Sequence, residues 1–238
     1  MTASSSFSLL HILSGGAAQG LVTQLQDRFL AQHHFRIAGT FGAVGLMKDG
    51  LLAGAPCDVI ILSQALISQL LESGHVQAGS ARALGAVKTG VAVKAGEPVV
   101  DVASPAALKA ALQAARGIYF PDPVKATAGI HFMRVVKELG LEGELAGRLR
   151  PYPNGATAMK AMAECDEPGL LGCTQVTEIL FTPGVELVAT LPKAFELATV
   201  YTAAVCTASQ NAKAATELIA MLGSPANTAT RLACGFEP

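Results

Sequence analysis

Short apolar runs and stretches of three- and four-residue apolar spacing alternate along nearly the whole chain. Compact apolar runs between turn residues read as strands, and the longer period reads as amphipathic helix. The strands expected on this basis cover residues 9–13, 35–40, 59–62, 89–94, 117–120, 169–173, 185–191 and 201–205. The expected helices cover 19–32, 47–53, 64–73, 105–115, 129–139, 155–163 and 212–222. Ser104-Pro105 supplies a cap and a first-turn proline for the fourth of them. Strand and helix in turn predict an α/β fold with mainly parallel sheets.

Two long extended runs interrupt this winding. Residues 86–94 follow the turn Ala78-Gly79-Ser80, and residues 185–191 follow Thr182-Pro183-Gly184, so both read as crossings between two lobes. On that reading one lobe is discontinuous, residues 1–85 plus 189–238, and the other, residues 86–188, is inserted into it. Each is of ordinary domain size.

Three strand-to-helix junctions carry the candidate chemistry. Ser14-Gly15-Gly16-Ala17-Ala18 follows the first strand, Thr40-Phe41-Gly42-Ala43-Val44-Gly45 the second and Lys125-Ala126-Thr127-Ala128-Gly129 the fifth. A chain that turns through glycine into a helix aims unpaired backbone N–H groups at one spot, and the helix dipole adds positive partial charge there. Three such turns point to one shared small anion.

Composition narrows the partner. The 238 residues carry a formal net charge of -1 and only 15% charged side chains, so neither a basic face for nucleic acid nor a polybasic segment for anionic lipid is expected. Apolar residues make up 51% and aromatics 5%, with no Trp. The core must therefore be Ala, Val, Leu and Ile, as suits buried parallel strands under Ala-rich helices. Cys57, Cys165, Cys173, Cys206 and Cys234 form no Cys-x-x-Cys pair, so buried free thiols are expected rather than a disulfide framework or a zinc site. No metal cluster, Walker loop or Ser-His-Asp set can be assembled, and no cofactor is expected. The start Met1-Thr2-Ala3-Ser4-Ser5-Ser6 lacks the cationic residues and apolar core of a secretion signal. As written the chain is expected in the cytoplasm, or in the periplasm if a signal has been removed. No apolar stretch approaches the roughly 20 residues of a membrane span, so no membrane insertion is expected.

Over most of its length from Leu9 the chain resembles the molybdate-binding-protein branch of the type 2 periplasmic solute-binding fold. The resemblance lies in Ser14-Gly15-Gly16-Ala17, in the turn from Phe41 to Gly45, and in Gly54-Ala55-Pro56-Cys57-Asp58-Val59-Ile60-Ile61-Leu62-Ser63. It continues in Gly90-Val91-Ala92-Val93-Lys94-Ala95-Gly96 and Ser209-Gln210-Asn211-Ala212-Lys213-Ala214-Ala215. It implies two α/β lobes, each a mainly parallel sheet flanked by helices, closing by a hinge over an anion in the cleft between them. It also implies an ABC-transporter membrane component as partner. Where molybdate binders usually place serine in the second turn this chain has Ala43, and where they commonly end the sixth strand with Tyr it has Gln175. Losing two ligand hydroxyls argues against molybdate itself. A closer resemblance is to the aconitate-isomerase-like subgroup, which shares the Ser-Gly-Gly turn and a segment like Gln175 to Val188.

By residue, the resemblance implies ligand contacts at Ser14, Gly15, Gly16, Phe41, Gly42 and Ala43, then at Thr127, Ala128, Gly129, Thr174 and Gln175. Ala128 stands where a serine is usual, and Thr127 is the alternative hydroxyl. Plainer readings exist beside these. Ser14 serves equally as a helix N-cap, and Gly15-Gly16 as a tight turn. His131, Glu178 and Lys125 are candidate acids or bases. Their plainer readings are a half-buried helix residue, a capping-box partner of Gln175 or Thr174, and a solvated loop cation. His11 reads as a hydrogen-bonded core residue, Asp58 as a structural acid and Cys173 as core. Two functions remain. One is an ABC-transporter-type binding protein for a small anion, a di- or tricarboxylate rather than molybdate. The other is an isomerase shifting a proton and double bond in an unsaturated polycarboxylate without metal.

Overall fold

Described over residues 7–238, the computed structural model alternates strand and helix much as the apolar pattern demands. Met1 to Ser6, on which the expectation about a secretion signal rests, lie outside the described residues. β1 (Ser8–Gly15) passes through a 3-10 turn (Gly16–Ala18) into α1 (Gln19–His33), and β2 (Phe35–Gly42) turns into α2 (Val44–Leu52). β3 (Val59–Ser63) and α3 (Gln64–Glu72) precede the long β4 (Arg82–Lys94). After it come α4 (Pro105–Ala114), β5 (Gly117–Pro121), α5 (Thr127–Glu138), α6 (Glu142–Leu145) and β6 (Leu149–Tyr152). Then follow α7 (Gly155–Ala163), β7 (Leu170–Gln175), α8 (Val176–Phe181) and β8 (Val185–Thr190). β9 (Ala198–Val205), α9 (Ala212–Leu222) and α10 (Thr228–Ala233) complete the order.

The strands lie in the order β2-β1-β3-β9-β4-β7-β5-β6, with β8 also on β4. β1 runs parallel to β2 and β3, and β5 parallel to β6 and β7, as βαβ units require. β9 is antiparallel to β3 and β4, and β7 and β8 are antiparallel to β4, so the sheet is mixed where the chain crosses. β4 belongs to both halves: Arg82 to Lys88 pair with β9, whereas Thr89 to Lys94 pair with β7 and β8. At the change of partner, the Thr89 N–H donates to the Leu197 carbonyl and its own carbonyl accepts from Leu191 N–H.

Buried clusters follow the same division. One gathers residues from Leu10 to Val87 and again from Tyr201 to Phe236. Two others use residues between Val91 and Leu191, on opposite faces of the second half. Alternation along β4 sends Val91 and Val93 to one of these and Ala92 to the other.

Candidate functional site

The three glycine junctions and a fourth strand-to-helix turn meet between the halves around a cavity of about 20 Å³. The turn after β1 contributes Gly16 and Ala17, the β2–α2 junction Gly42, Ala43 and Val44, and the β5–α5 junction Ala126, Thr127 and Ala128. Asn154 and Gly155 come from the start of α7, Gln175 and Glu178 from the β7–α8 turn, and Tyr201 from β9. α2 and α5 begin without a side-chain cap, because Ala43 and Ala126 occupy their N-cap positions. Their first N–H groups are thus free of competing side chains. α7 is capped instead: the Asn154 side chain accepts from Thr157 N–H at 2.9 Å, and the Thr157 hydroxyl accepts from Asn154 N–H.

The polar lining is neutral in character. Gln175 is 2% exposed, yet neither its Nε2 nor its Oε1 has a hydrogen-bond partner. A buried primary amide left this way loses the solvation of both polar atoms, so it marks a place where a ligand's polar atoms fit. Glu178 is also buried, and the Thr174 hydroxyl donates to its Oε2 at 2.6 Å. Burial pushes the Glu178 carboxyl above the ordinary carboxylate range, outweighing Thr174 and the opposing backbone N–H groups of Gly155, Ala156 and Gln175. Burial first, and the Glu178 charge second, push the Tyr201 phenol upward. The Gln175 amide lies close enough to that phenol to oppose the shift, but without the geometry of a hydrogen bond.

Glycine is required at two points of this wall. A Cβ on Gly16 would overlap Oε1 of Glu178, and one on Gly155 would overlap Oε2 of Glu178 and the Thr174 hydroxyl. The Glu178 carboxyl therefore lies wedged between a turn of the first half and a helix start of the second.

Of the residues expected at the site, Gly16, Gly42, Ala43, Thr127, Ala128, Gln175 and Glu178 line the cavity. Ser14 does not: it is a fully buried strand residue whose hydroxyl donates to the Gly15 carbonyl, and no helix starts on it. Gly15 instead lets Val44 and Tyr201 close in on the strand, where a Cβ would stand 2.8 and 3.0 Å from them. Thr174 lies one layer back, holding Glu178. Gly129 sits inside the first turn of α5, where a Cβ would overlap the Pro121 and Asp122 carbonyls, so packing accounts for it. The Lys125 ammonium is paired with Asp49 at 2.7 Å, and His131 Nε2 donates to the Phe195 carbonyl at 2.8 Å; neither lines the cavity. Asp58 accepts from His11 N–H at 2.8 Å and Ser209 Oγ at 2.7 Å, a structural arrangement at the start of β3. Asn154 and Tyr201 were not expected at the site.

Phe41 opens onto a second, larger space. An open groove of about 520 Å³ is lined by Phe41, Phe181 and Pro183 on its apolar side and by Gln19, Thr157 and Lys160 on its polar side. Asn154 belongs to both spaces, so the groove adjoins the inner cavity.

Comparison with known proteins adds the family. Residues 10–237 match a family described as bacterial extracellular solute-binding protein. Aconitate isomerase from a Pseudomonas species is 26% identical over 182 residues, a stretch that covers 75% of this chain and 66% of that protein, just short of two thirds of its length. The periplasmic molybdate-binding protein of Azotobacter vinelandii superposes with a TM-score of 0.81 at 20% identity, covering 96% of this chain and 99% of its own. The sulfate-binding protein SubI from Mycobacterium tuberculosis gives 0.76 at 16% identity, covering 97% of this chain and 87% of its own. These two likenesses establish the fold as the two-lobed periplasmic-binding type.

Proposed function

Since the chain belongs to the bacterial extracellular solute-binding protein family, we propose that its ligand is a small organic anion, a di- or tricarboxylate. The ligand is held between the two lobes, which part within β4, and is handed to an ABC-transporter membrane component. Such a role places the protein outside the inner membrane. The observation that carries this reading is the Gln175 amide, buried at the cavity with both polar atoms unpartnered. The uncapped starts of α2 and α5 add backbone N–H donors and the positive ends of two helix dipoles. Neutral donors suffice to hold an anion here, in keeping with a chain of net charge -1.

Size favours an organic acid over a compact oxyanion. The inner cavity of about 20 Å³ admits about one water-sized group, which suits one carboxylate arm. The adjoining groove, with its apolar wall and Lys160, suits the remainder. Thermal-shift and calorimetric titration with citrate, trans-aconitate, molybdate and sulfate tests the reading. A polycarboxylate should raise the melting temperature by mass action, and Gln175→Leu should abolish that shift while leaving the unliganded melting temperature unchanged or higher. Stabilisation by molybdate or sulfate alone would overturn the carboxylate assignment.

One observation favours a second reading, an isomerase. Glu178 and Tyr201 are the titratable side chains lining the cavity among the described residues, and an allylic proton shift needs one group to take a proton and return it two atoms further along the carbon chain. Glu178 in its carboxylate form fits that role. Incubation with trans-aconitate in deuterated water should then place deuterium at the allylic carbon, and tight binding without exchange would eliminate the isomerase.

A further inference from the structure

At the end of the first half remote from the cavity, two cysteines far apart in sequence come together. β3 and β9 are antiparallel neighbours with Val59 opposite Val205, and one step further out the Cys206 N–H donates to the Asp58 carbonyl at 2.9 Å. This pairing brings Cys206 Sγ to 3.3 Å from Cys57 Sγ. Cys206 is buried, whereas Cys57 is only half-buried. The Cys57 thiol also points at the Val59 carbonyl, at 3.2 Å. Cys165, Cys173 and Cys234 have no such partner among the described residues. A disulfide requires its sulfurs about 2.05 Å apart; here Cys57 adjoins Asp58, the residue opposite Cys206, and the sulfurs need to close little more than 1 Å.

We propose that Cys57 and Cys206 form a dithiol–disulfide couple, oxidised by exchange with a low-molecular-weight or protein disulfide, which covalently clasps β3 to β9. Cys57 is the entry point. Its thiolate attacks one sulfur of the incoming disulfide and expels a thiolate, leaving a mixed disulfide on Cys57. Cys206 then loses its proton and attacks Cys57 Sγ, expelling the second thiol. One disulfide is reduced to two thiols, and two protein thiols become one bond. The hydrogen bond to Cys57 and burial hold the Cys206 thiol above its ordinary range, with the nearby Asp58 carboxylate adding to the effect, so Cys206 is the resolving partner and not the first attacker. The closed loop spans 149 positions of sequence, long enough for a cross-link to restrict the unfolded chain strongly.

The test uses the full chain, reduced and then equilibrated with oxidised glutathione. Free thiols should fall from five to three, the mass should drop by two hydrogens, and non-reducing peptide mapping should join the peptides of Cys57 and Cys206. The melting temperature should rise by about 5–10 °C. Cys57→Ser, at the half-buried position, should fold and bind ligand normally but show neither the mass change nor the rise. The couple is overturned if all five thiols remain open to alkylation, if only a stable glutathione adduct forms on Cys57, or if mapping joins a different pair. A joined pair with no gain in melting temperature overturns the clasp.

Discussion

Glu178 sits with a carboxyl group at the focus of backbone N–H donors, yet in surroundings that favour its protonated form. At low pH the folded and unfolded chains both hold this proton. Above about pH 4.5, the ordinary value for the group, the unfolded chain releases it while the folded chain keeps it until its raised value is reached. Stability therefore falls as pH rises through that window. Glu178→Gln keeps the shape and removes the titration, so its urea midpoint should lack this downward slope; parallel curves for variant and parent would refute the assignment. At this scale the site was half legible. Gln175 could be named because its segment resembles a known family's, and Glu178 because it is a carboxyl three residues further on. Tyr201 could not, since an apolar strand from Tyr201 to Val205 reads as core and gives no hint that its first side chain ends at a cleft. The plainer reading of Ser14 as a helix cap fails for a physical reason: β1 runs two residues further than its apolar run, which makes Ser14 a strand residue.

Elements were more legible than residues. α7 and α9 begin and end where the apolar spacing placed them, because an amphipathic stripe flanked by turn residues leaves little freedom. β6 was unread: four residues, Leu149 to Tyr152, with an arginine and a proline among them show no alternation and gain their identity from pairing with β5. α8 was hidden likewise, being a six-residue run that starts directly after β7. The start of α7 joins the site through Asn154, a residue the sequence reading did not single out. Its side chain does two things at once, capping the helix and lining the cavity. Asn154→Ala should destabilise the fold by about 1 kcal/mol, a drop of about 2–4 °C in melting temperature, and weaken ligand binding as well. Asn154→Ser, which still caps, should restore the first and not the second.

Across the whole molecule, the two halves touch through the loop before α5. The Gly45 N–H donates to the Lys125 carbonyl at 3.0 Å, and the Lys125 ammonium meets Asp49 of α2 at 2.7 Å. Lys125 therefore joins the two halves without lining the cavity, and under the proposed binding function this contact should favour closure. The pair is exposed and open to screening. Asp49→Asn should raise the ligand dissociation constant roughly two- to fivefold at low salt, with little difference from the parent at high salt; equal affinities at low salt would show that the pair has no part in closing. The two long extended runs were read as crossings between lobes, and β4 does change partners along its length, but which strands it joins was not legible, since pairing partners leave no mark in a single strand's pattern. The sharing of β4 has a consequence for how such a chain can be inherited. β4 gives its first stretch to β9 and its last to β7 and β8, so a cut within Arg82 to Lys88 takes an interior strand from the first half and one within Thr89 to Lys94 takes an interior strand from the second. An exchange of one half must therefore keep each stretch of β4 with its own pairing partners.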